Sequence, residues 1–515
     1  MTGLALGGSD LWSALEARAA ATPHLTVLVD RHGRRVRFSE LRDEAATVAA
    51  GLAEMGVGAG DVVAWELPTW VEAVVLAVAL NRVGAVQVPI IAIYREREVA
   101  HCCRQTDARW LITAGEFRGF DFAAMGRSVG GALGLAHLTV APGSLPRGDP
   151  ARLAPHAPRP DDARWVFFTS GTTSEPKGAR HNDRALAQTG AQMADRMQLG
   201  PGSRYALPFP FPHVGGVLLL YGALHSGCTH LLVDVFDPVE TTAFLAREGV
   251  THAGTGTPFH LAYLAEQRKD PSRRIFPDLV CCPGGASPKP PTMHETIKRE
   301  LGGLGIVSSW GLTEAPILTY STFDDPDDKL ATTEGRPLDG VVLRAVRGDG
   351  TVAGAGEEGE LQVRAPQVMM GYVDTSLDAA AFMDGWFRTG DLGTIDDDGF
   401  VRITGRLKDV IIRNGENISA KEVEDLLFAH PAVADVAVIG LPDDRTGERV
   451  CAVVCPADGT APLSLTEVRE WLVGRGLRRQ AVPEQVEHVD ALPRNPAGKV
   501  TKQALQDRFA AASRT

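Results

Sequence analysis

Residues 169–178 read TSGTTSEPKG, which places five hydroxyl side chains, two glycines and one lysine in ten positions. Nothing in that set builds a core. Glycines let a backbone turn its N–H groups toward an anion, hydroxyls add donors, and Lys177 supplies a full charge, so the stretch is chemically a phosphate cradle. It is not a Walker loop, which needs G-x-x-x-x-G-K-[ST], because Lys177 follows Pro176 and precedes Gly178. A solvated turn between the apolar run RWVFF and a following helix is the competing reading, and the rest of the chain has to decide between them.

The chain has 515 residues, too many for one ordinary core, so several domains are expected. Hydrophobic residues at 44% and charged residues at 23% belong to a globular protein, and the net charge of -12 excludes a general nucleic-acid binder. A polyanionic ligand must therefore meet local positive charge. The longest apolar run, VEAVVLAVAL from Val71 to Leu80, is followed by Asn81 and Arg82, short of a membrane span, and reads as a buried helix. Neither end carries a recognisable targeting signal, and the expected location is cytoplasmic. The seven cysteines include two adjacent pairs but no C-x-x-C, which fits buried thiols better than disulfides or zinc. The HCC run at His101 to Cys103 cannot converge on a metal from one helix face or strand.

Ser39 is expected to cap a helix with apolar positions Leu41, Ala45, Val48 and Leu52, ending near Gly56. DVVAWELP then reads as a strand, and short apolar runs alternate with helices through GAVQVPI, THLLVDVF and GIVSSWG. That is the pattern of α/β sheets with flanking helices. After residue 400 the character changes. Two S-x-x-E capping boxes, Ser419 to Glu422 and Ser464 to Glu467, open helices between strand-like segments such as ERVCAVVCP. The expected architecture is a large N-terminal α/β domain over 1–405 and a small α+β domain over 406–515, joined near Gly405 to Lys408.

FFTSGTTSEPKGARH strongly resembles the signature of the AMP-forming adenylating superfamily of acyl-CoA synthetases, luciferases and peptide-synthetase adenylation domains. PGGAS (283–287), SSWGLTE (308–314), GWFRTGD (385–391), GRLKDVIIRNGENIS (405–419) and PRNPAGKVTK (493–502) follow in that superfamily's order and spacing. The resemblance spans nearly the whole chain and is closest to fatty or alicyclic acid:CoA ligases. It implies ATP, Mg2+ and coenzyme A as cofactors, and an apolar carboxylic acid as substrate.

The resemblance also assigns positions. Thr169, Ser170, Gly171, Thr172, Thr173 and Lys177 are to hold phosphate, with Gly285, Ala286, Ser309, Gly311 and Ile403 around the nucleotide. Trp310 offers a face for adenine, Thr313 a hydroxyl for the α-phosphate, and Glu314 a hard carboxylate for Mg2+. Asp391 matches the acid that grips the ribose, and Arg406 the arginine that reaches ribose or phosphate; a structural ion pair is the plain reading of either. Lys499 is to stabilise the two anions forced together as a carboxylate attacks the α-phosphorus, a contact of up to about 4 kcal/mol at about 4 Å. His213 in FPFPHVGG matches the gate of the acyl pocket.

Adenylation and thiol attack need different neighbours, and the family's small domain rotates between them. Lys408 is then the hinge, and Gly415 lies where a narrow pantetheine channel tolerates no side chain. Free coenzyme A is the expected thiol donor. Three alternatives stay open: loading of a carrier protein, thioesterification of an adenylate made by a partner ligase in a specialised-metabolite pathway, and a scaffold without turnover. The second is motivated by Ala481, where relatives usually carry lysine. Retention of Lys177, Glu314, Asp391 and Lys499 argues against the third.

Overall fold

The structure, a computed structural model, describes residues 3–6, 9–169, 176–285, 289–414, 416–443, 445–494 and 499–510. Counted over those residues, one sheet of the large N-terminal domain has six strands. Their order is Gly178–Asn182, Ala163–Phe168, Val86–Pro89, Val62–Glu66, Trp110–Ala114 and Ala136–Val140. All neighbours are parallel except the first pair. A sheet covered on both faces selects near-continuous apolar strands, which is why VVAWE and WLITA carry so few polar residues. The helix Val71–Val83 packs against this sheet and the neighbouring helices with Val71 to Asn81 buried, and it ends at Gly84 in the left-handed conformation.

A second, four-stranded sheet runs Arg204–Leu207, Thr229–Leu232, Thr26–Asp30, Arg35–Arg37. Asp183 ties this domain together from a fully buried position. Its carboxylate accepts from Trp165 Nε1 (2.7 Å), Tyr221 Oη (2.6 Å) and Asn81 Nδ2 (2.8 Å), so the buried acid is fully hydrogen-bonded.

A five-stranded antiparallel sheet built from Val342–Val346, Gly359–Arg364, Phe382–Met383, Trp386–Ile395 and Val401–Arg406 leads to the C-terminal domain. That domain has its own core, with Ile411, Ile418, Val423, Leu427, Val438, Val450 and Leu472 packed together and a second layer around Ile439, Val453 and Phe509. The large α/β domain followed by a C-terminal α+β domain is as expected.

Local signals held unevenly. The first capping residue is a correction: the helix runs Phe38–Glu54, so Ser39 lies inside it and donates to Pro23 O, while Glu40 accepts the N–H of Arg37 at 2.8 Å. The apolar positions Leu41, Ala45, Val48 and Leu52 are buried as the spacing required. Ser464 and Glu467 form the reciprocal box. Ser419 forms half of one, because its hydroxyl accepts from Glu422 N–H and donates to Thr404 O at 2.8 Å. The seven cysteines are buried and unbridged. Among the described residues no helix is long and apolar enough to cross a membrane, and no group of three or more His, Cys, Asp or Glu side chains could hold a metal.

Candidate active site

The phosphate-cradle stretch joins the strand Ala163–Phe168 to its antiparallel partner Gly178–Asn182, so a strand precedes the helix Asp183–Arg196. Its neck is closed by two bonds: Thr169 N–H donates to Lys177 O (3.0 Å) and Lys177 N–H to Thr169 Oγ1 (3.3 Å). The helix Glu96–Gln105 supports the outgoing arm, with His101 Nε2 2.9 Å from Pro176 O and Gln105 Oε1 accepting from Gly178 N–H at 3.3 Å. The histidine of the HCC run is therefore a buttress of this loop. Ser170, Gly171, Thr172 and Thr173 lie outside the described residues.

Ser309–Trp310 pairs with Thr319–Tyr320 and leads into the GLTE segment. Gly285, at a φ of +134°, and Gly311 are both required by close approach. An added Cβ would lie 2.7 Å from Ser309 Oγ in the first case and 2.3 Å from Ile317 N in the second. Ser309 Oγ donates to Gly284 O at 3.1 Å, which fixes one wall. Beyond the turn, the carbonyl of Thr313 lies 2.8 Å from His181 Nε2, and burial pushes His181 down to about 4, so its neutral ring donates there. Glu314 accepts from Tyr372 Oη at 2.8 Å through Oε1, and the same tyrosine ring lies under Lys177 Nζ at 5.7 Å.

Asp391 is almost wholly buried. Its carboxylate meets Arg406 Nε at 2.8 Å and accepts from Trp310 Nε1 at 2.8 Å, the two carboxylate oxygens taking one partner each. Asp391 and Arg406 face each other across paired strands, so the ion pair is built into the register. Trp310 is only 7% exposed, and what its indole visibly does is hold the acid. Ile403 lies on the strand Val401–Arg406, three positions before Arg406, and packs partly buried against the large domain's core.

Lys499 comes from the C-terminal domain and is partly buried. Burial and the cations Arg406 and Lys408 push its ammonium down to about 8, against the pull of Asp391 and Glu314. Burial and the charge of Lys499 in turn hold His213 at about 4. His213 opens the helix Val214–Ser226, and its Nδ1 accepts from Gly215 N–H at 3.1 Å. The neutral ring thus keeps its proton on Nε2. A narrow crevice beside it is lined by Ile90, Ile91, Phe167, Phe168, Val214 and Thr313.

The family description "AMP-binding enzyme" matches residues 15–373, and "AMP-binding enzyme C-terminal domain" matches residues 422–499. The chain belongs to the AMP-binding enzyme family. It is 31% identical to the medium-chain fatty-acid–CoA ligase of Escherichia coli (strain K12), over 97% of this chain and 89% of that protein. It is 32% identical to the 3-[(3aS,4S,7aS)-7a-methyl-1,5-dioxo-octahydro-1H-inden-4-yl]propanoyl:CoA ligase of Rhodococcus jostii (strain RHA1), over 96% and 98%. The o-succinylbenzoate coenzyme A synthetase of Bacillus subtilis, solved in complex with ATP and magnesium ion, superposes with a TM-score of 0.84 at 26% identity, covering 97% of this chain and 99% of that one.

Within this AMP-binding enzyme the motif residues are linked across segments far apart in the chain: Tyr372 joins Glu314 to Lys177, Asp391 pairs with Arg406, Lys499 feels the charges of Asp391, Glu314 and Arg406, and Thr313 and His213 line one crevice. Ala286 and Gly415 lie outside the described residues. Lys408 occupies the single turn Leu407–Asp409 between the two domains. Ala481 does not fit the expectation of a charge missing from the site. It is fully buried in the C-terminal core, and the neighbouring Arg478 is engaged with Asn417 O and Glu416. Three contributors escaped the sequence reading: His101, His181 and Tyr372. Only Tyr372 carried a cue, as the aromatic after glycine in QVMMGYV.

Proposed function

We propose that the chain is an AMP-forming carboxylic acid:CoA ligase that acts in the cytoplasm on an apolar acid, with ATP and Mg2+. The observation that carries this reading is the convergence of Lys499 from the C-terminal domain with Glu314, Asp391 and Arg406 from the large one. A lysine there can neutralise the charge that gathers when a carboxylate oxygen attacks the α-phosphorus and pyrophosphate leaves. The P–O bond to pyrophosphate breaks as the acyl-phosphate bond forms.

Asp391 and Arg406 would hold the ribose, the loop from Thr169 to Lys177 the β- and γ-phosphates, and Thr313 the α-phosphate. Glu314 fits a magnesium ion: it is a hard oxygen donor, the metal takes one or two carboxylates beside substrate phosphates, and one carboxylate oxygen is left over after the tyrosine bond. When bound, the ion supplies neutralisation of phosphate charge. His213, held at about 4 and so a weak proton acceptor, suits a gate rather than a base.

The second half-reaction breaks the acyl–phosphate bond. The sulfur of coenzyme A attacks the acyl carbonyl, AMP leaves, and the thiol proton passes to solvent. Rotation about Lys408 would withdraw Lys499 and bring the segment around Gly415 to the site. The lack of a carboxylate in FPHVGG, residues 211–216, supports an acid without an ammonium group. The test is incubation with Mg·ATP and a panel of carboxylic acids, with and without coenzyme A or a pantetheinylated carrier protein, followed by mass spectrometry. Acyl-AMP without thiol and acyl-CoA with it support the ligase. Product only from supplied acyl-AMP would transfer the reading to a half-reaction enzyme, and no turnover of any acid to a scaffold.

A further inference from the structure

The tyrosine beneath Lys177 stands between two groups that the proposed reaction needs in fixed relation. Tyr372 is 5% exposed, its hydroxyl donates to Glu314 Oε1 at 2.8 Å, and Lys177 Nζ lies 5.7 Å from its ring centroid. Its backbone has no freedom. Tyr372 N–H donates to Asp378 Oδ1 (2.8 Å), Val373 N–H to Gly178 O (2.8 Å), Arg180 N–H to Gly371 O (3.1 Å) and Met370 N–H to Arg180 O (2.8 Å). Met369 N–H donates to the carbonyl of Glu314 itself at 2.7 Å. The segment is thus stitched on one side to the strand that leaves the phosphate loop, and on the other to the residue proposed to take the metal.

We propose that Tyr372 is a positioning residue that holds the Glu314 carboxylate and the Lys177 ammonium in register for a metal–triphosphate; this rests on the nucleotide reading above. A carboxylate on a flexible side chain has several rotamers, and a short bond from a buried phenol selects one. That bond occupies Oε1 and leaves the second oxygen to the metal. The ring face beneath Lys177 adds an electrostatic preference for one ammonium position. Hydroxyl and ring therefore do separable things, and substitutions can separate them.

The test is direct metal binding: titration of Mn2+ into the protein with α,β-methylene ATP, read by electron paramagnetic resonance. Tyr372→Phe keeps ring, volume and backbone pairing, and should weaken Mn2+–nucleotide binding roughly tenfold, the loss expected for one hydrogen bond to a charged group. Glu314→Gln should weaken it too, and adding Tyr372→Phe to that background should cost nothing more, because the hydroxyl acts through the carboxylate. Tyr372→Leu should in addition weaken metal-free nucleotide binding through Lys177. Calorimetry of each variant checks that folding is retained. An unchanged Mn2+ affinity in Tyr372→Phe, or an additive loss in the double variant, overturns the assignment while leaving the nucleotide reading standing. A wild-type protein that binds no Mn2+–nucleotide overturns both.

Discussion

Two lysines of this protein are pushed to the same value, about 8, by surroundings that have little in common. Lys289 is enclosed: its three ammonium protons go to Ser308 Oγ (2.6 Å), Leu330 O (2.6 Å) and Thr333 O (2.7 Å). Burial depresses it, with Glu334 pulling the other way and Lys421 adding a little. Lys499 is depressed by burial and then by two cations, Arg406 and Lys408, against two acids, Asp391 and Glu314. The same displacement thus marks a strut in one place and a charge aimed at a cleft in the other. A perturbed lysine is a candidate for catalysis only when the groups that perturb it are themselves candidates.

The largest effect expected from that contrast is on the first half-reaction. Lys499→Ala should lower acyl-AMP formation by two to three orders of magnitude, on the scale of about 3 kcal/mol for one donor aimed at developing charge. Thioester formation from supplied acyl-AMP should persist. Quenched-flow mass spectrometry of both products checks this, and an equal loss of both would remove the argument for two geometries. Lys289→Met should act on stability instead. It leaves three buried oxygens without their donor, each worth about 1–3 kcal/mol when unpaired, so the denaturant midpoint should fall at unchanged m-value.

The contrast also explains what could be read without the structure. The phosphate loop, the GLTE segment, Asp391 and Lys499 announce themselves because each packs its chemistry into a few adjacent residues. Lys289 and Tyr372 could not be found that way: the first serves the tip of a helix, Asp327–Thr332, and the second meets Lys177 only after strand pairing brings them together. Trp310 was legible as a site residue but not as the partner of Asp391, since that bond crosses between two sheets. Ala481 misled for the same reason. Its neighbours in sequence are arginines, but its neighbours in space are the C-terminal core.

A difference in pH response follows. Lys499 is an ammonium below about 8, so acyl-AMP formation should be flat at lower pH and fall as pH rises through that value. Lys499→Arg, weaker in absolute rate, should lose this alkaline limb. For Lys289 the observable is stability. Its folded value, about 8, lies below the ordinary lysine value of 10.5, so between them the unfolded chain binds more protons, and the contribution of this group to stability rises with pH. The difference in unfolding free energy between wild type and Lys289→Met should therefore widen from pH 8 to pH 10. A constant difference would mean that the ammonium is stabilised by its three acceptors as fully as it is by water.

Glu66 offers the smallest effect and the cleanest sign. It ends a central strand at 0% exposure, and neither carboxylate oxygen has a hydrogen-bond partner among the described residues. Burial raises its carboxyl well above the usual range, with Arg95 opposing. The folded state therefore holds the proton where the unfolded state has released it, and stability falls as pH rises above the ordinary glutamate value of 4.5. Glu66→Gln carries no titratable proton and should flatten that slope. At neutral pH it should raise the unfolding free energy by about 1–3 kcal/mol, with no gain at pH 4, because at neutral pH the wild-type carboxyl must take up a proton on folding and an amide need not. Denaturant titrations at the two pH values measure this. An equal change at both would make Glu66 a matter of packing alone, and would set it with neither lysine.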